Sequence, residues 1–506
     1  MEYKSILFNS AGVRRNSPMP ELFLDLNIDQ ITQEILSGKE EYNLSEFFYQ
    51  NLQDISAVNY RLEVMKDLEN EELFNVIADF CIKMKKIRQY IDFSKKAHNT
   101  YQSEKWFLDA AILYCKNITC LQNSLLTKEI HSHGLLSFQT WLSSYINTNY
   151  FKKLCFETFE LNKMFEGIKF SIQVERGKIT VDSDILQEDY CESLNKTFEK
   201  INDKEYDFPL SFFTDFEMCV LETKILEIVR NDNKRAFDIL EVYCKNNLDF
   251  IDRTIQNFDR EIQFYISYLE YIRKLKHKGY AFSYPIMSST KSIIVEGGFD
   301  LALAYKNKDN NSLVVSNDFS LENSERIFVI TGPNQGGKTT FARTIGQIMY
   351  LASIGCPVPC LKAELFLFDQ IFTHFSREEN LCNNAGRLKE ELVRLKPIMT
   401  KVTANSLVII NELFASTTSY DAYTMGKKVL EHFLVKDCVC LYVTHIYELT
   451  GISKKTVSLV AAVHSEQDGI RTYKILRKPA DGCAYANSIV EKYNLSYSKI
   501  KERIRI

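Results

Sequence analysis

The sequence predicts an α/β plus all-α protein: a helical segment over residues 1–285, then an α/β domain over 286–506. Three observations carry this expectation. From about Leu44 to Tyr280 the chain is rich in Leu, Ile, Phe, Lys and Glu at helical spacing, with Pro and Gly rare. After Tyr280-Ala281-Phe282-Ser283-Tyr284-Pro285 the composition shifts, and Gly297-Gly298 and short β-rich runs take over. Beyond that point three apolar runs, 327–330, 407–410 and 439–443, alternate with helical stretches, the pattern of a mostly parallel sheet. At 506 residues the chain exceeds what one hydrophobic core usually supports, so at least two domains are expected.

Within the helical half, Val58, Leu62, Met65 and Leu68 form an apolar stripe opposite the charges, a face that should pack on another helix. Phe250, Ile251, Ile255, Phe258, Ile262 and Tyr265 do the same in the stretch from about Phe213 to Lys278. Between the two helical runs, residues 170–181 alternate apolar and polar about a turn near Arg176-Gly177, which reads as a β-hairpin.

Composition narrows the class. With 45% hydrophobic and 25% charged residues the chain is an ordinary folded protein. A formal charge of -4 excludes a globally basic nucleic-acid binder, so any contact to DNA must come from local patches. The thirteen cysteines are odd in number, scattered and free of C-x-x-C pairs, which points to reduced thiols in a cytoplasmic protein. No stretch approaches the roughly 18 uninterrupted apolar residues of a membrane span.

Gly332-Pro333-Asn334-Gln335-Gly336-Gly337-Lys338-Thr339 fits G-x-x-x-x-G-K-[ST] between a strand and a helix. The glycines let backbone N–H groups curl round phosphates, and the positive end of the following helix favours negative charge. Lys338 is the candidate for the β- and γ-phosphates and the Thr339 hydroxyl for Mg²⁺. The helix continues with Phe341, Ile345, Ile348 and Ala352 on one apolar face.

A second strand ends in Asn411-Glu412. The first polar residue after such a strand is normally Asp, acting through the magnesium shell. Asn411 can still hydrogen-bond a metal-bound water but brings no charge, so weaker metal binding and slow turnover are expected. Glu412 reads as the base that deprotonates an attacking water, with an ordinary helix N-terminal acid as the alternative. After the third strand comes Thr444-His445, where His445 is either a structural histidine or a sensor of the γ-phosphate.

These residues resemble the MutS family. The run Thr331 to Thr340, with its Pro-Asn and double Gly, is similar to the MutS P-loop. Residues 351–359, 370–373, 416–421 and 443–449 resemble successive MutS landmarks in the same order. The resemblance is specific across about 290–506 and looser over the helical half, where 59–64 is similar to an early helix of the MutS core. It implies an ABC-type P-loop ATPase domain preceded by a helical core and lever domain. It also implies ATP and Mg²⁺ as cofactors, with Thr339 and Asn411 at the metal and Thr340 among the nucleotide-binding residues. The partners implied are a homodimer or a MutS-like heterodimer and DNA, duplex, mismatched or branched. Mismatch repair or related repair and recombination would be the setting, with a downstream repair protein as a further partner and no membrane.

Several departures qualify that picture. The chain starts where the MutS core would start, so the family's mismatch-reading and connector domains are expected to be missing, and no Phe-x-Glu occurs in the first sixty residues. The hairpin stands where MutS carries a larger clamp, which makes Arg176 and Lys178 candidate DNA contacts. Asn383-Asn384-Ala385-Gly386-Arg387-Leu388 replaces the Ser-Thr-Phe run of the loop that acts across the dimer, leaving Asn384, Gly386 and Arg387 as weak candidates for a γ-phosphate contact. Residues 488–493 resemble the dimerisation region. The basic run Lys83, Lys85, Lys86, Arg88, Lys95 and Lys96 reads either as a phosphate-binding face or as a solvated helix face. Two functions stay open: a DNA-dependent ATPase, and a nucleotide-gated scaffold with little hydrolysis that recruits protein partners.

Overall fold

The computed structural model describes residues 3–9, 18–176, 178–182, 218–309, 313–376, 386–463, 471–480 and 497–504. The chain divides into two compact units: Met1–Tyr3, Asn70–Ile130 and Leu135–Asp259 form one, and Lys4–Glu69, His131–Gly134 and Arg260–Ile506 form the other.

The first unit is built on the helices Glu71–Lys96 and Thr100–Leu126. Both start at an asparagine. The Asn70 side chain accepts from the N–H groups of Glu72 and Leu73, and that of Asn99 from Tyr101 and Gln102, satisfying donors that a helix start otherwise leaves open. Leu73, Ile77, Phe80, Met84 and Ile87 bury one face of the first helix, and Leu108, Ala111, Cys115, Ile118 and Leu125 bury one of the second. Asn117, buried between them, donates from Nδ2 to the Phe80 carbonyl at 3.1 Å. Thr158 Oγ1 on the helix Asn149–Glu166 and the Tyr243 hydroxyl on Lys234–Asn246 lie 2.6 Å apart, tying a second helix pair.

The expected hairpin is present. Strand β1 (Ser171–Glu175) pairs antiparallel with β2 (Lys178–Asp182), Glu175 opposite Lys178. Arg176 adopts a left-handed φ of 46°, as a two-residue hairpin turn requires of its first residue.

The second unit holds two sheets. The smaller runs β3-β7-β4-β5, from β3 (Ile286–Ser288), β4 (Ile293–Gly298), β5 (Asn317–Leu321) and β7 (Lys362–Phe366). The larger has the order β12-β11-β6-β10-β9-β8. Its strands are β6 (Ile327–Thr331), β8 (Ile371–Phe375), β9 (Leu407–Asn411), β10 (Val439–Val443), β11 (Thr456–Val463) and β12 (Arg471–Arg477). Neighbours from β11 to β8 pair in parallel, and β12 closes one edge antiparallel to β11. Every residue of β6, β9 and β10 is buried, which is why these three read as unbroken apolar runs.

One face of this sheet packs with Leu395 and Ile398 of the helix Arg387–Lys401 and Val429, Leu430 and Phe433 of the helix Ser419–Lys436. The helix Lys338–Ser353 is buried almost throughout, and Gly346 lets it approach Ile409 and Leu26 closely. Residues before 70 fix that helix from outside. Tyr350 donates its hydroxyl to the Phe48 carbonyl at 2.7 Å, and Gln347 Nε2 donates to the Leu26 carbonyl at 2.9 Å. Arg61, only 1% exposed, donates to the carbonyls of Leu7 and Ile354 while lying over the rings of Phe8 and Phe264. The stripe Val58, Leu62, Met65 and Leu68 is buried as its spacing predicts. The division expected at residue 285 follows composition, whereas the two compact units follow packing, which groups these early residues with the sheets.

Candidate functional site

Strand β6 delivers the glycine-rich loop. Directly after it, Gly332 takes φ 127°, where a Cβ would stand 2.8 Å from that of Ala461 in β11. Gly336 is equally confined: a Cβ there would meet the Ala461 Cβ and the Pro333 carbonyl oxygen, both at 3.0 Å. Gly337, at φ 88°, is the N-cap of the helix Lys338–Ser353. The loop is thus a backbone cradle with no room for side chains at two of its glycines.

Lys338 opens the helix and is 4% exposed. Its Nζ donates to the carbonyls of Gly332 at 3.1 Å and Pro333 at 3.0 Å, so the ammonium folds over its own loop. Burial lowers its pKa below the ordinary lysine value, opposed by the negative charge of Glu412 and reinforced by Arg471. An anion in the cradle would offset that desolvation. The Thr339 hydroxyl donates to Asn411 Oδ1 at the end of β9 at 3.2 Å, which sets two neutral oxygens side by side.

Glu412 leaves β9 in a left-handed conformation, φ 56°, and its N–H donates to the Val443 carbonyl at the end of β10 at 3.0 Å. Its carboxylate meets His445 Nε2 at 3.3 Å. The histidine hydrogen bond draws the Glu412 carboxyl below the usual carboxylate range against partial burial, so it stays ionised at neutral pH. Thr444, buried beside His445, is pinned by its N–H to the Ile330 carbonyl at 2.9 Å. Parallel pairing of β6, β10 and β9 therefore gathers Lys338, Thr339, Asn411, Glu412 and His445 at the C-terminal ends of adjacent strands.

A cleft of about 500 Å³ runs over the cradle, lined by Asn334 to Phe341 and by Glu412. Its other wall was not anticipated. It consists of Leu303, Leu313, Val314 and Val315, with Asn317 from β5 and Tyr473 from β12. Tyr473 holds φ 58° and lies against Gly337, and Asn317 fixes that strand by donating to the Tyr473 carbonyl at 3.2 Å and accepting from the Ile475 N–H at 2.7 Å. Apolar and aromatic groups beside a phosphate-sized cradle suit a flat base next to a charged tail.

Other candidates belong to other elements. Arg176 and Lys178 occupy the hairpin turn of the first unit. In the basic run, Lys83 pairs with Asp79 at 2.6 Å, Arg88 pairs with the buried Asp259, and Lys86 lies over the Tyr90 ring, so these cations have local partners. Asn384 and the segment 488–493 lie outside the described residues, as does Gly177. Gly386 is the exposed N-cap of the helix that begins at Arg387.

Residues 328–500 match the family model for MutS domain V. Over this region, about a third of the chain, the sequence is similar to the MutS family. A DNA mismatch repair protein MutS of Orientia tsutsugamushi (strain Boryong) is 35% identical over 173 residues, 33% of this chain and 19% of that protein. DNA mismatch repair protein msh-2 of Neurospora crassa is 38% identical over 142 residues, 28% of this chain and 15% of the relative. A MutS of Halalkalibacterium halodurans is 31% identical over 206 residues, 40% and 23% of the two chains. The chain spans about a fifth of the length of the MutS relatives it matches. The matched MutS domain contains the cradle, Asn411, Glu412 and His445, and the mixed α/β fold is compatible with it. Among the described residues no helix is long and apolar enough to cross a membrane.

Proposed function

We propose that this chain is a MutS-type P-loop ATPase that acts on DNA as a dimer, dividing near residue 285 into a helical core and lever domain and an ABC-type ATPase domain. The observation that carries this reading is the convergence of Lys338, the Thr339–Asn411 pair and the Glu412–His445 pair on one cleft over a glycine cradle. Backbone N–H groups of 332–339 and the Lys338 ammonium bind the phosphates, and Leu313, Val315 and Tyr473 take the base. Thr339 and Asn411 supply an oxygen set that fits Mg²⁺, which when bound neutralises charge on the phosphates. Glu412 is the base that takes a proton from the attacking water. His445 orients that carboxylate and would sense the γ-phosphate through it.

DNA repair is the role the relatives' names suggest, and the hairpin is the candidate grip. Arg176 and Lys178 at its turn suit phosphates, which position DNA without reading its sequence. One observation favours a second reading, a nucleotide-gated scaffold: Asn411 brings no charge to the metal. ATP turnover measured alone and with perfect, mismatched and branched duplexes separates the two. A rate that rises with DNA, and most with one DNA structure, is expected. Tight ATP binding without turnover under every condition would favour the scaffold, and failure to bind ATP would remove both.

A further inference from the structure

Just after β9, Glu412 in the lining of the cleft and the buried Phe414 adopt backbone conformations that side-chain-bearing residues rarely hold. Glu412 has φ 56° and Phe414 has φ 64°, and neither is glycine. Such a turn persists only where its surroundings hold it in place. One anchor comes from the sheet, the Glu412 N–H to the Val443 carbonyl at 3.0 Å. The other comes from a helix: the Phe414 N–H donates to Glu391 Oε2, also at 3.0 Å.

Glu391 is only 7% exposed, and its place on the helix Arg387–Lys401 is unusual. It shares a helical stripe with Leu395 and Ile398, which pack into the cluster containing Leu413 and Phe414. For packing alone, an apolar residue would serve there without the desolvation that a buried carboxylate suffers. Among its contacts the carboxylate places a strong acceptor against the Phe414 N–H of the strained turn.

We propose that Glu391 is a positioning residue for ATP hydrolysis: it holds Phe414 in the left-handed conformation and thereby fixes the direction in which Glu412 presents its carboxylate to the cleft. The inference rests on Glu412 being the base. Glu391 is not in the lining of the cleft, so its loss should slow the chemical step while leaving the cradle, and hence ATP binding, intact.

The test compares full-length wild type with Glu391→Met, which fills similar space without a strong acceptor, Glu391→Gln, which keeps one, Glu412→Gln, and the double variant Glu391→Met/Glu412→Gln. Steady-state ATP hydrolysis and thermal melting are recorded for each. Glu391→Met should lower kcat by roughly tenfold to a hundredfold, the cost of a small misplacement at a reacting centre. Its KM for ATP should stay within about twofold. Glu391→Gln should regain most of the lost rate, and the double variant should be no slower than Glu412→Gln. The proposal is overturned by a wild-type kcat in Glu391→Met, by a loss confined to KM, by a Glu391→Gln as slow as Glu391→Met, or by additive loss in the double variant. It is also overturned if Glu391→Met and Glu391→Gln both fail to fold, since Glu391 would then be a structural residue. A Glu412→Gln that turns over ATP at the wild-type rate removes the reading of Glu412 as base. A stalled Glu412→Gln beside a fully active Glu391→Met removes the role of Glu391 alone.

Discussion

In the proposed reading, Asn411 is where a single side chain would decide how the site treats Mg²⁺. It is buried at the end of β9 with Oδ1 3.2 Å from the Thr339 hydroxyl, so an aspartate of the same shape would put a negative charge where the amide oxygen now stands. Asn411→Asp should lower the Mg²⁺ concentration giving half-maximal ATP turnover by up to about tenfold, the effect of roughly 1.4 kcal/mol of added attraction. An unchanged magnesium titration would mean that Asn411 serves the fold and not the metal. At this scale the sequence was informative around the C-terminal ends of strands. Lys338 and Thr339 follow the loop after β6, Asn411 ends β9 with Glu412 next to it, and His445 comes just after β10; parallel pairing brings those strand ends to one edge. Tyr473, Asn317 and Glu391 gave no such signal. Tyr473 reaches the cleft because β12 packs beside β11, and Asn317 because β5 lies next to β12, neighbours that local patterning does not encode.

Among the elements, the hairpin carries the clearest testable role. Its register places Glu175 opposite Lys178, with Arg176 at the turn in a left-handed conformation. Both cations therefore sit at one end of the hairpin, on either side of its turn. Replacing both in Arg176→Ala/Lys178→Ala should weaken binding to duplex and branched DNA by a similar factor. It should also flatten the log-log salt dependence by about one unit per lost phosphate contact. Superimposable salt series for wild type and variant would leave the hairpin as a solvent-exposed turn and favour the scaffold reading. The hairpin was legible because strict alternation and a turn residue coincide over twelve positions. The helices at Asn70 and Asn99 carry equally local signals, a capping amide followed by an apolar stripe. The smaller sheet carried none: β3 has three residues and β7 five, and their pairing joins positions far apart in the chain.

For the whole molecule, composition drew one boundary near 285 and packing draws another. Residues before 70 bond to the helix that begins at Lys338: Arg343 Nε donates to the Asp25 carbonyl at 3.0 Å, and Tyr350 to that of Phe48. These contacts span some three hundred positions, and the helical periodicity that revealed the early helices says nothing about their partners. The central claim is that Lys338 serves ATP binding while Glu412 serves hydrolysis. The most direct measurement follows ATP affinity and single-turnover hydrolysis side by side in wild type, Lys338→Ala and Glu412→Gln. Lys338→Ala should lose affinity by roughly tenfold or more, through loss of a charge-assisted phosphate contact. Glu412→Gln should bind ATP as wild type does and retain it unhydrolysed, with its rate down by about a hundredfold or more. Wild-type hydrolysis by Glu412→Gln, or unchanged affinity in Lys338→Ala, would contradict the account.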